Sequence, residues 1–190
     1  MDARAKPTHN LDTCTDLEII AAVNRGDLAA FEVLYLRYRD WVVRLAYRFT
    51  RDEEAALDVL QETFLYFLKK FPGFRLTANL KTFLYPAVRN LSATAREKAR
   101  RFQSSESELR EIEDAKAPER DTANMGDLQI VLGALSEEHR EVLLLRFLEG
   151  FDLSEIALSM DIPVGTVKSR LHNALQVLRN DSRTREYFDQ

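Results

Sequence analysis

Apolar residues recur along this chain at intervals of three and four, the spacing that stacks them on one face of an α-helix. Asp16 is placed to cap a first helix, Leu17–Asn24, which Gly26 stops, and Asp27 to cap a second that reaches about Thr50. In the second helix Phe31, Leu34, Tyr38, Val42, Leu45 and Phe49 form an inner row that Trp41 and Tyr47 thicken. A third, about Asp52–Phe71, turns Leu57, Leu60, Phe64, Phe67 and Phe71 inward and ends at Pro72-Gly73. A fourth, about Leu80–Arg101, keeps Leu84, Ala87, Val88, Leu91 and Ala95 on its apolar side. Pro86 is awkward there, because it removes a backbone donor and should kink the helix unless it lies in the first turn.

The period lapses over Phe102–Asp127, which opens with QSSESE and carries many more acids than bases. This composition reads as a flexible acidic linker that could stretch to roughly 85–90 Å or relax to about 28 Å. Helical pattern returns over Leu128–Leu135 and, behind Ser136 as a cap, over Glu137–Phe147. Gly150 stops that helix, and Asp152 with Glu155 three positions on forms a capping box for the next, whose apolar strip is Ile156, Ala157 and Met160. Asp161-Ile162-Pro163 ends it, and a last helix from about Val164 to Leu178 stacks Val167, Leu171, Ala174 and Leu178. Two short helices around a tight turn describe a helix-turn-helix.

The expected fold is therefore all-α, two small helical domains joined by the acidic linker, the C-terminal one a helix-turn-helix. Residues 1–16 form a loose arm, 17–101 the first domain, 102–127 the linker, 128–180 the second domain and 181–190 a polar tail.

Charge sharpens the picture locally. The whole chain, 190 residues with a net charge of -4, argues against a uniformly cationic binder without excluding basic patches. Yet no Asp or Glu falls between Val164 and Asn180, where Ser169, His172, Asn173 and Gln176 face outward between Lys168 and Arg170. A solvated face of an ordinary core helix usually mixes both signs. That absence favours a helix that reads DNA in the major groove over one more amphipathic pair.

The fourth helix carries Lys81, Arg89, Arg96, Lys98, Arg100 and Arg101 against the single acid Glu97. Tyr85, Arg89, Ser92, Arg96 and Arg100 lie within about 80° on a helical wheel. Such a strip suits a phosphate backbone and a stacked base, and it also suits a plain solvated face. On the third helix Asp58, Glu62, Leu65 and Lys69 point outward with Gln61 and Tyr66 beside them, a pattern equally consistent with a docking surface and with ordinary surface residues.

Other chemistry is not indicated. The lone Cys14 rules out an intramolecular disulfide and reads as an incidental thiol. His9, His139 and His172 are scattered, no glycine-rich phosphate loop follows a strand pattern, and no Ser/His/Asp signature occurs, so no catalytic residue, metal or cofactor is expected. No stretch approaches the roughly 18 apolar residues of a membrane span and no signal-peptide core is present, so a cytoplasmic protein with no membrane insertion is expected.

Three segments resemble the extracytoplasmic-function (ECF) type of bacterial RNA polymerase sigma factor. DLAAFEVLYLRYRDWVVRLAYRFT followed by ALDVLQETF resembles the family's polymerase-docking helices with their Asp-x-x-Gln-Glu-x-Phe signature. TFLYPAVRN resembles the segment that opens the minus-ten promoter element, and LSEEHREVLLLRFLEGFDLSEIALSMDIPVGTVKSRLHNAL the domain that reads the minus-thirty-five element. The resemblance implies core RNA polymerase and promoter DNA as partners, with transcription initiation as the function. By matching position, Asp58, Gln61 and Glu62 would meet the clamp helices of the largest polymerase subunit. Asn90 would accept a base flipped out of the non-template strand, with Tyr85, Arg89, Arg96 and Arg100 beside it. Lys168, Ser169, Arg170, His172 and Asn173 would read the upstream element, and the linker would thread toward the RNA exit path. An anti-sigma protein covering these surfaces is a further partner that the resemblance admits. The chain departs from the family at Phe83 (usually Trp), Pro86 (usually Arg) and Asn173 (commonly Arg). The rival reading is a helix-turn-helix regulator that binds DNA without polymerase.

Overall fold

The computed structural model of the protein describes residues 13–109, 132–133 and 135–184, with backbone alone for 102–109. The expectations for the arm before Thr13, for most of the linker, for much of the helix at 128–135 and for the tail beyond Thr184 lie outside the described residues. The chain divides into two units, Met1–Glu108 and Leu109–Gln190. Among the described residues there are helices and no strands, and no helix is long and apolar enough to cross a membrane.

The first unit starts with α1, Asp16–Asn24, and α2, Leu28–Thr50. Thr15, not Asp16, caps α1: its hydroxyl accepts from the Glu18 amide while the Glu18 carboxylate accepts from the Thr15 amide at 2.8 Å. Asp16 is instead engaged across the helix pair, accepting from Arg37 Nη1 at 2.6 Å and from the Tyr38 hydroxyl. Burial first, and this hydrogen bond second, push the Tyr38 hydroxyl above its ordinary range, so it stays a donor. Asp27 caps α2 through the amides of Ala29 and Ala30, as expected. Along α2 the residues Leu34, Tyr38, Trp41, Val42 and Leu45 are buried, whereas Tyr47 turns outward.

Helix α3, Glu53–Leu68, is capped by Asp52, whose carboxylate accepts from the Ala55 amide at 2.7 Å. Its inner face is Ala56, Val59, Leu60, Thr63, Phe64 and Phe67. Leu57, expected inside, is 50% exposed: the buried stripe passes through Ala56 and Leu60, and a residue one position from Ala56 is rotated about 100° away. Beyond α3 the chain turns at Gly73, whose φ of +101° suits glycine. The Asn24 carboxamide fastens this turn from a distance, accepting from the Gly73 and Phe74 amides at 2.6 and 3.1 Å and donating to the Phe74 carbonyl at 2.8 Å.

That clamp delivers the chain to α4, Leu80–Leu109. The helix continues through Pro86, with Leu80, Leu84 and Val88 fully buried on both sides of it. Burial of these flanking residues offsets the hydrogen bond that proline cannot donate. It also runs past Arg101 to Leu109, through the serines and acids that read as the start of the linker. Arg101 donates to Glu97 one turn back, an i,i+4 pair that supports the helix where the apolar period has ended.

The second unit is built on α5, Glu137–Leu143, α6, Leu153–Met160, and α7, Val164–Asn180. Ser136 caps α5 as expected, accepting from the His139 amide. The α5 helix then widens into a π-helical turn over Leu144–Leu148 in place of the regular helix expected to Phe147. The wider turn keeps Leu145 buried and puts Phe147 and Leu148 outside. Gly150, at φ +75°, reverses the chain, Phe151 plugs the core, and Arg146 donates to the Phe151 carbonyl at 2.9 Å. The Asp152/Glu155 capping box opens α6, its two reciprocal bonds 2.8 and 2.9 Å long. Asp161 closes α6 in the left-handed region, and Pro163 caps α7 with its carbonyl. Leu135, Leu143, Ala174 and Leu178 form one apolar cluster, joined by Leu171. Thr184 is buried and its hydroxyl donates to the Leu178 carbonyl, so the tail is fastened at least to this point.

Removing the Phe67 ring should destabilise the first unit by about 3–5 kcal/mol in urea unfolding, while Leu57→Ala should change stability by no more than about 0.5 kcal/mol. Equal losses for the two variants would contradict the orientation of α3.

Candidate nucleic-acid interface

The strip of α4 singled out from the wheel straddles the boundary of the core. Tyr85 is 1% exposed and packs edge-on to Phe49, with ring centroids 6.3 Å apart, and Ser92 is fully buried. Arg89, Arg96 and Arg100, rotated about 20–60° further round, are exposed. Tyr85 is thus a core residue, and its ring is not available to stack on a base. Asn90 is exposed on the same helix, one residue beyond Arg89. Only its carbonyl is engaged locally among the bonds described, accepting from the Thr94 hydroxyl at 3.0 Å.

Arg100 is also less open than its position suggests. Glu97 accepts from Arg100 and from Arg101 at 3.0 Å each, and these two guanidiniums hold the Glu97 carboxyl below the usual carboxylate range. The lone acid of this basic stretch therefore offsets part of the charge at its C-terminal end, and Arg89 and Arg96 are exposed nearer to Asn90.

Helix α3 presents Asp58, Gln61 and Glu62 to solvent, as expected, with Leu65 and Lys69 in the same row. Leu57, Leu65, Tyr66 and Leu68 are exposed apolar residues of this face, a larger set than periodicity had suggested. Tyr66 is held in place: it stacks on Phe83 of α4, interplanar angle 16°, and the Lys70 ammonium lies 4.4 Å from its ring centroid. Phe83 also meets Phe67 and Phe74. The acidic face of α3 and the basic helix α4 are thereby joined through one ring pair, a link between distant residues that no local pattern announces.

In the second unit Lys168, Ser169, His172 and Asn173 are exposed on α7. The Ser169 hydroxyl donates to the Thr166 carbonyl at 3.0 Å, which leaves its lone pairs outward. Arg170 departs from this set. It is turned toward α5 and donates to Glu138 at 2.9 Å, with its side chain 20% exposed. Among the described residues no group of His, Cys, Asp and Glu is arranged to hold a metal ion.

Comparison with known proteins places these features. Residues 34–102 match the family model for sigma-70 region 2, and residues 131–180 that for sigma-70 region 4. The chain is 31% identical over 182 residues to the RNA polymerase sigma-H factor of Pseudomonas aeruginosa, covering 86% of this chain and 91% of that one. It is 32% identical over 179 residues to the ECF RNA polymerase sigma-E factor of Escherichia coli K12, covering 87% and 93%. Among solved structures it is similar to the sigma factor RpoE in complex with the anti-sigma factor NepR from Bartonella quintana (25% identity, TM-score 0.56, 78% of this chain and 94% of that one). CnrH in complex with the cytosolic domain of CnrY shares the fold (21% identity, TM-score 0.61, 85% and 93%).

Arg96→Ala should leave the melting temperature unchanged and make promoter binding by the polymerase-bound protein less salt-dependent, by about 0.7–0.9 in the slope of log K against log salt. Tyr85→Ala should do the reverse, lowering the melting temperature by several degrees. Loss of binding by Tyr85→Ala in a protein that stays fully folded would contradict the core placement of that ring.

Proposed function

Because the chain belongs to the extracytoplasmic-function sigma factors, which direct core RNA polymerase to promoters, we propose a division of that work between its two units. Sigma factors are DNA-binding regulatory proteins and are not known as enzymes. The first unit docks on core polymerase through Asp58, Gln61 and Glu62, where the exposed apolar residues of α3 add contact area around an acidic centre. It opens the minus-ten element at Asn90. Unstacking a base costs a few kcal/mol, and a carboxamide recovers part of this by offering two donors and an acceptor to the base edge. Arg89 and Arg96 hold the neighbouring phosphates, and Arg100 joins them only by leaving Glu97. The second unit reads the minus-thirty-five element through Lys168, Ser169, His172 and Asn173. Asn173 fits adenine better than the guanine that arginine prefers.

The observation that carries this reading is the exposure of Asn90 beside Arg89 and Arg96 on a helix whose opposite side is pinned by Leu84, Tyr85 and Val88. A base captured there meets a rigid support. We read the working domains as residues 17–101, extended by the rest of α4, and 128–180, with the acidic segment between them following the path of the RNA. An anti-sigma protein holds the factor inactive by covering the docking and DNA-reading faces; the similar sigma factor from Bartonella quintana is itself in complex with an anti-sigma factor. The protein works in the cytoplasm, where the polymerase is.

Transcription in vitro with core polymerase and fragmented genomic DNA is expected to show discrete start sites that appear only when the protein is added. Reversing two charges, Asp58→Lys with Glu62→Lys, should abolish those starts and core binding together while leaving helix content intact. Start sites that persist in the reversed variant would contradict the docking assignment, and their absence with the unaltered protein would contradict the whole reading.

A further inference from the structure

The reading helix α7 carries one arginine that does not share the direction of its neighbours. Arg170 sits on the flank between the buried row Val167, Ala174, Leu178 and the exposed Lys168, Ser169, His172 and Asn173. Its Nη2 lies 2.9 Å from Glu138 Oε2, on the first turn of α5. We propose that Glu138 is a positioning residue for upstream recognition, holding Arg170 against α5 and thereby keeping this cation off the DNA. The inference rests on the reading of α7 as the helix that enters the major groove.

Two observations support it. Glu138 is the second residue after the Ser136 cap, in the first turn, where the helix dipole favours a carboxylate, so its place on α5 suits the acid as well as its partner does. Three other arginines of the unit are tied to oxygens as well. Arg140 donates to the carbonyls of Leu132, Gly133 and Leu135 at 2.6–3.0 Å, Arg146 to that of Phe151, and Arg183 to both oxygens of Asp181. Each of these three guanidiniums is engaged by oxygens of its own unit, while Lys168 and His172 are exposed on the reading face.

The consequence is selectivity. A released arginine beside the groove would take whatever phosphate it reached, and a phosphate contact adds affinity to every sequence alike. With Arg170 withheld, binding depends on the side chains that meet base edges. Arg170 is the less exposed partner of the pair and Glu138 is the acid that holds it, so neutralising that acid removes the tie.

The test uses polymerase holoenzyme reconstituted with the full chain, binding a promoter duplex and a duplex with a scrambled upstream element over a series of salt concentrations. Glu138→Gln should steepen the slope of log K against log salt by about 0.9, one additional phosphate contact, and raise affinity for the scrambled duplex more than for the promoter. Arg170→Ala should keep the unaltered slope, and the double variant should return to it, a reversal that a merely destabilised domain would not produce. An unchanged slope for Glu138→Gln, or a shallower one for Arg170→Ala alone, would overturn the proposal. Lys168→Ala separates this from the underlying reading: it should lower the slope and the preference for the promoter, and if it does neither, the assignment of α7 itself fails.

Discussion

Phe67 is fully buried, and its ring meets Phe31 of α2, Phe71 and Phe74 of the turn, and Phe83 of α4, at centroid separations of 5.2–5.6 Å. All four pairs are tilted or edge-on rather than stacked face to face, as aromatic quadrupoles favour. Through this one side chain α2, α3 and α4 share a support. The Asn24 carboxamide closes the same assembly from the far side by saturating the backbone of the turn that precedes α4. Rotation of α4 is thereby settled: Leu84, Tyr85 and Val88 must go in, so Asn90, Arg89 and Arg96 must come out. An aromatic ring at Phe83 serves packing, since it links Phe67 inside with Tyr66 at the surface.

Charge in this protein is arranged by withholding as much as by display. The net charge is negative, and the basic stretch of α4 contains its own acid, which engages two arginines. In the second unit Asp181 grips Arg183 so closely that its carboxyl is held down to about 2, and Glu138 occupies Arg170. A sigma factor acts as part of a holoenzyme, and each cation tied to an acid of its own chain is one fewer to offer to arbitrary DNA. Selection among sequences then falls on a small number of side chains that reach base edges.

Local signals in the sequence translated directly into structure. Asp27, Ser136 and the Asp152/Glu155 box all cap where their spacing placed them, because capping is decided within four residues. The helix-turn-helix followed from the same short-range chemistry. What escaped was set by contacts distant in the chain. Thr15 took the cap from Asp16 because Arg37 and Tyr38, a helix away, engage that carboxylate. Tyr85 and Ser92 lay at the edge of a wheel whose boundary depends on what the neighbouring helices present. The pairing of Arg170 with Glu138, 2.9 Å across to α5, had no local signal. The widening at Leu144–Leu148 had no signal in its leucine-rich sequence, which suits a regular helix equally well.

The central claim is that α4 is held so that Asn90 can receive an unstacked base. It is tested most directly by permanganate reactivity of unpaired thymines on a promoter bound by holoenzyme, comparing the unaltered protein with Asn90→Ala. The account predicts that both holoenzymes bind core polymerase and the duplex promoter equally, and that thymines at the minus-ten element become reactive only with Asn90 in place. Full reactivity with Asn90→Ala would contradict it.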